Sequence, residues 1–419
     1  MTDPVVVAGG GPVGLAAAAE LAERGLDVVV YERGATAGAA VAEWGHVRLF
    51  SAWRELVAPA ARRLLQRTGW TEPPADAYPT GAEWARDYLV PLARALGERV
   101  HTGAEVVGAA RRGRDRVVDD GRDGEPLAVH VRHSGGREER VRARGLVDAT
   151  GTWGRPGPLG GDGLLALGEP AAAAAGRIGY RIPSAAPAGH VVVAGSGHSA
   201  LTALVALTSR NGDASVTWIL RRGGIGDTFG GGDADELPAR GRLGKRARAA
   251  VEAGAVRVVT GFRTAAVETG PDGRLTLVAE DGRTVGAVDH VVALTGLRPD
   301  LDWLSELRLE LDPALQAPVR LAPLIDPNVH SCGTVPPHGV GELAHPEPGV
   351  YLAGMKSYGR APTFLALTGY EQVRSIAAAF AGDRAAAENV ELVLPETGVC
   401  GGSDGCCGPE LIQLTTRVP

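Results

Sequence analysis

Cysteine is scarce in this chain of 419 residues: the four are Cys332, Cys400, Cys406 and Cys407, and none precedes residue 332. Thiols so few and so clustered cannot frame a secreted disulfide scaffold, so the expected compartment is the reducing cytoplasm. Lysine is scarcer still, at Lys245 and Lys356, and the 43 basic residues, nearly all arginine, lie scattered among 49 acidic ones to leave a net charge of −6. Without a basic block there is no nucleic-acid footprint. No apolar run approaches the roughly 20 residues of a membrane-spanning helix, and no export signal precedes Val5-Val6-Val7-Ala8. A soluble protein without a membrane partner is expected, with two or three domains because its length exceeds what one core usually supports.

What is present is one pattern used twice: a β-branched run, a glycine-rich turn, an Ala/Leu-rich helix and a second strand. The first copy spans Val5 to Glu32, with Gly9-x-Gly11-x-x-Gly14 at its turn and a helix from about Pro12 to Arg24. The second spans His190 to Arg222, with Gly195-x-Gly197-x-x-Ala200. Each leads to a meander, Glu105 to Arg142 and Phe262 to Val285, and then to a buried strand ending in Thr-Gly, at Thr150-Gly151 and Thr295-Gly296. A last strand, Gly349 to Ala353, precedes Gly354 and a helix from about Pro362 to Phe380.

In such a turn the first glycine permits the tight bend, the second lets a pyrophosphate reach the backbone, and the third allows close helix–strand packing. The helix N-terminus then offers unpaired N–H groups and a favourable dipole to the phosphates. Glu32, about 20 residues on, is placed to accept hydrogen bonds from ribose hydroxyls. In the second copy Arg221 is read at the position corresponding to Glu32, with Arg222 after it. Guanidinium groups bind a 2′-phosphate that a carboxylate repels, so this site is expected to take NADPH. His198 and Ser199 open its helix, and His198 is read as a helix-start residue beside the pyrophosphate.

On these motifs the chain, over about residues 3 to 382, resembles the flavoproteins with two dinucleotide-binding domains, which include flavin-containing monooxygenases and thioredoxin reductases. The resemblance implies an α/β fold of two Rossmann-like, three-layer ββα domains, the NADPH domain (186–305) inserted into an FAD domain (1–165 and 320–394), with a Cys-containing tail (395–419). It implies FAD and NADPH as cofactors, with Gly9, Gly11, Pro12, Gly14, Glu32, Arg33, Thr150, Gly151 and Gly354 at the first. Gly195, Gly197, His198, Ser199, Arg221 and Arg222 belong to the second. Where that family has Asp after the last glycine, this chain has Met355, and Lys356 is the candidate cation for the FAD phosphate.

A disulfide reductase of this kind needs a C-x-x-C or C-x4-C pair over the flavin, and neither is present. The Phe-x-Gly-x-x-x-His fingerprint of the monooxygenases is also missing. Direct reaction of the flavin with oxygen or a small substrate is expected, with His46, Arg48 and Cys332 as catalytic candidates. The Gly354-to-Phe364 stretch and the tail resemble flavoprotein monooxygenases encoded near arsenic-resistance genes in actinobacteria, which implies that Cys400, Cys406 and Cys407 bind a trivalent metalloid. The reading is an FAD- and NADPH-dependent monooxygenase acting on a small, thiophilic, metalloid or organosulfur substrate. Two alternatives stay open, a reductase passing electrons through the tail cysteines and a non-enzymatic flavin sensor, as does a homodimer.

Overall fold

Val5-Val6-Val7-Ala8 lacks polar alternation, the mark of a strand covered on both faces, and it forms β1 (Val5–Ala8), fully buried throughout. The computed structural model describes residues 3–209, 214–235, 237–329, 335–362 and 364–392. In it β1 is central to a parallel sheet, flanked by β2 (Val28–Glu32) and β7 (Gly145–Asp148), with β3 (Val100–Thr102) and β16 (Val350–Leu352) at the edges. Side chains alternate along a strand. Val5 and Val7 enter the core under the helix Pro12–Glu23, while Val6 and Ala8 face a meander of β4 (Ala104–Arg111), β5 (Leu127–His133) and β6 (Glu138–Ala143).

The second copy repeats this plan. Its parallel sheet has the order β11 (Val256–Val259), β10 (Ser215–Ile219), β9 (His190–Ala194), β15 (His290–Ala293), β8 (Ile178–Gly179). Val191 and Val193 pack under the helix His198–Thr208, and Val192 and Ala194 face the meander of β12 (Thr264–Thr269), β13 (Leu275–Ala279) and β14 (Thr284–Val288). The protein is thus two Rossmann-like ββα units. The chain leaves the first sheet after β7 and returns to it at β16, which pairs with β7. Among the described residues no helix is long and apolar enough to cross a membrane.

The long helix after β16 starts at Ala366, later than the expected Pro362. Phe364 turns onto Tyr358, ring centroids 4.9 Å apart, and Leu365 stays extended, so helical winding begins only beyond them. From this helix Gln372 anchors the turn after β16: its Oε1 accepts from the Gly354 N–H (2.7 Å), and its Nε2 donates to Ser357 Oγ (2.9 Å) and to His338 Nε2 (2.8 Å). His338 Nδ1 donates to the Pro336 carbonyl (3.1 Å), which fixes a neutral tautomer. Nearby His345 Nδ1 accepts from the Glu310 N–H at 3.3 Å.

Burial holds both imidazoles below the ordinary histidine value, His345 down to about 4. The unfolded chain therefore takes up protons near pH 6.5 that the folded chain refuses, so stability is full above that pH and falls as pH drops towards 4. His345 contributes at most about 3 kcal/mol of this loss. Denaturant titrations at pH 8, 6.5, 5 and 4 are expected to show the decline. His345→Asn and His338→Gln, which keep an acceptor but cannot titrate, should flatten it.

Candidate functional site

The carboxyl ends of β1, β2, β7 and β16 open onto a cavity of about 730 Å³, within the roughly 300–1,000 Å³ of small-molecule and cofactor sites. Gly11 caps the first helix, and a Cβ built there meets no atom within 4 Å. It leaves an open floor in front of first-turn N–H groups, where a diphosphate can settle. Gly14 is behind that floor: a Cβ there would lie 1.9 Å from the Gly9 carbonyl oxygen, so its role is packing. Glu32 is held by two amides, Oε2 accepting from Gly10 and Oε1 from Gly34, each at 2.7 Å. The carboxylate is thereby fixed in the wall with lone pairs left for ribose hydroxyls. Gly9, Pro12, Arg33, Thr150, Gly151 and Gly354 also line the cavity. These residues fit an adenine dinucleotide.

Lys356 departs from the expectation that it would meet a cofactor phosphate. Its side chain is fully buried, 3.1 Å from Asp148 Oδ2, and it donates to Thr150 Oγ1 (2.8 Å) and the Asp300 carbonyl (2.5 Å). A buried ammonium needs a paired charge, and Asp148 supplies it; Met355, not Lys356, faces the cavity.

The register of the second sheet corrects the reading of Arg221. Ala8 pairs with Tyr31 and Ala194 with Ile219, so Leu220 is the counterpart of Glu32, and Arg221 of Arg33. Leu220 is buried, whereas Arg221 and Arg222 are exposed just beyond the strand. Arg221 donates to the Gly161 carbonyl at 3.3 Å. Gly195 has φ +127° and packs on the Leu294 carbonyl, while a Cβ on Gly197 meets nothing within 4 Å. The second turn thus repeats the first, without an acid behind it.

His198 and Ser199, at the start of the second helix, line the main cavity. Phe50, from the first unit, meets the His198 ring edge-on at 5.6 Å. Burial, with the Arg240 cation nearby, pushes the His198 imidazole below its ordinary value, leaving it neutral at pH 7. Arg240 also lines the cavity and is itself buried, gripped by Asp235 at 2.8 Å. Trp153, which also lines the cavity, donates from Nε1 to Glu43 (2.5 Å), and the Arg181 guanidinium stacks 3.8 Å above its ring.

Of the expected catalytic residues, Arg48 lines the main cavity, whereas His46 is exposed and lines only a smaller neighbouring one. Cys332, Cys400, Cys406 and Cys407 lie outside the described residues, and among those described no cluster of potential metal ligands occurs. Sequence reasoning missed Gly10, Trp153, Arg181, Asp235 and Arg240. Gly10 was detectable, because a Cβ there would lie 2.9 Å from that of Glu32 and the extra glycine sits inside the motif. The Asp235–Arg240 pairing left no signal in its spacing.

Among solved structures, bacillithiol disulfide reductase from Bacillus cereus is similar at 20% identity, covering 91% of this chain and 99% of that one, with a TM-score of 0.68. Flavin-containing monooxygenase from Stenotrophomonas maltophilia is similar at 21% identity, with coverages of 91% and 98% and a TM-score of 0.54. An ornithine N-hydroxylase from Kutzneria sp. 744, solved with reduced FAD, NADP+ and L-ornithine, has 19% identity, coverages of 92% and 100%, and a TM-score of 0.58. At these identities the likeness shows the fold. No curated protein matches the chain. The model of the pyridine nucleotide-disulphide oxidoreductase family matches residues 3–345, so the chain belongs to that family.

Proposed function

We propose that the protein is a flavoprotein monooxygenase, in which NADPH, a proton, dioxygen and a small substrate give NADP+, water and the oxygenated substrate. The observation that carries this reading is a dinucleotide cavity whose described wall contains no thiol, in a chain with no cysteine before residue 332. Electrons leaving the cavity have no protein disulfide among those residues to pass through. FAD supplies, when bound, a centre that takes an electron pair from NADPH and hands it on. Glu32 accepts from the adenosine ribose, and the first-turn N–H groups around Gly11 receive the pyrophosphate. Arg221 and Arg222 receive the 2′-phosphate outside the second turn. Neutral His198, packed by Phe50, closes the junction without adding charge. A thiophilic acceptor, an organosulfur compound or a trivalent metalloid, belongs to this reading, with Cys400, Cys406 and Cys407 as its soft donors.

A second reading, an NADPH-dependent disulfide reductase, is supported by the similarity to bacillithiol disulfide reductase. Oxygen separates the two. With a substrate present, an oxygenase is expected to consume one dioxygen per NADPH and to stop anaerobically. A reductase oxidises NADPH anaerobically when given a low-molecular-weight disulfide, and that result would overturn the proposal. Negligible turnover under both conditions would leave a flavin sensor.

Gly11→Val is expected to fold, because its Cβ meets no protein atom, but to purify without flavin. Absorbance at the flavin band against protein concentration checks this. Arg221→Ala should raise the KM for NADPH about tenfold, the loss of one charge-assisted phosphate contact at roughly 1.5 kcal/mol, and leave that for NADH nearly unchanged. Equal losses for both cofactors would make Arg221 structural.

A further inference from the structure

Beside the main cavity lies a smaller one of about 190 Å³, formed where the 46–48 segment, the 182–186 linker and the His198–Thr208 helix meet. It contains none of the glycine-turn residues and neither Glu32 nor Arg221. It shares Val47, Arg48, Ile182 and Thr202 with the main cavity, so these side chains form the partition between the two. A third molecule can therefore sit next to the cofactors without displacing either.

The size and lining restrict that molecule. An apolar cavity of about 150 Å³ accommodates benzene, so 190 Å³ holds a ring or short branched chain with one small polar group. Val47, Ile182, Pro183 and Leu207 supply the apolar wall, and Arg48 and His46 the polar rim. Arg48 donates to the Tyr78 carbonyl, but its nearest carboxylate, Glu83, is 3.9 Å away, and both side chains are solvent-exposed at 62% and 40%. So long and open an ion pair holds its charge loosely, and a carboxylate of a ligand, presented by an apolar body in the cavity, can compete for the guanidinium.

We infer that this side cavity is the site of the acceptor substrate, and that the substrate is a compact organic carboxylate whose anionic end meets Arg48, which selects the organosulfur class over the metalloid. The inference deepens the oxidoreductase reading and rests on it for the word acceptor, but its test needs no turnover. FAD-loaded protein without NADPH is titrated with sodium benzoate and with benzamide, the uncharged isostere, and binding is followed by calorimetry and by the flavin difference spectrum.

Benzoate is expected to bind saturably and about tenfold more tightly than benzamide, the low end for a charge-assisted contact because the Arg48 side chain is largely exposed. Arg48→Ala should bring benzoate to the benzamide level. Ala206→Phe, which fills the cavity from the helix, should weaken both, with FAD content and melting temperature showing that each variant is folded. Absence of saturable benzoate binding, equal affinity for the two probes, or indifference to Arg48→Ala would overturn the assignment. Benzoate binding without oxygen-coupled NADPH oxidation would defeat the proposed function alone. Oxygen coupling without benzoate binding would defeat the side cavity alone.

Discussion

A single buried charge pair sets the geometry on which the rest of the site depends. Asp148 ends β7, Lys356 follows β16, and the lysine's two hydrogen bonds reach Thr150 and the carbonyl of Asp300. Three stretches distant in sequence are thereby joined at the point where the chain passes between its two units. Removing one member of such a pair strands the other in a dry interior, at about 3–5 kcal/mol, so the positions of these segments are locked together. Gly151 and Gly354, which line the cavity, follow directly from that junction.

Around it, the two units are held by contacts of mixed chemistry. Arg155 pairs with Asp300 at 3.2 Å and also with Asp302. Arg181 stacks on Trp153 while Trp153 is held by Glu43, and Phe50 meets His198. Loss of water around Arg181 lowers its pKa without discharging it, so the stacked cation remains charged against the aromatic face. The surfaces between the units are therefore polar as well as apolar, and the cavity between them has walls from both.

Much of this was legible in the sequence for a definite reason. Strands buried on both faces leave unbroken apolar runs, so β1, β9 and the strands beside them announced themselves, and the first glycine turn located the cavity. Glu32 was legible because it ends an apolar strand. The same logic failed at the corresponding strand of the second unit: Trp218-Ile219-Leu220 is apolar throughout, and only the pairing of Ala194 with Ile219 shows that Leu220, not Arg221, stands at the acid's position. Lys356 misled because a lone lysine is normally solvated, and its partner is remote in sequence. The side cavity was invisible for a related reason, being assembled from three separated segments of which none carries a motif.

Sulfur is distributed through this protein in a way that bears on its lifetime in use. Met355 is the one methionine besides Met1, and its side chain faces the cofactor cavity. A thioether is oxidised to a sulfoxide that is polar and bulkier, and in an oxygenase each uncoupled turnover releases oxidant a short distance from it. The described wall offers such an oxidant no thiol, so in an oxygenase Met355 would be the sulfur within its reach. A working enzyme of this design would age from within its own cavity, at a rate set by how well oxygen use is coupled to substrate, and methionine sulfoxide reduction would restore it.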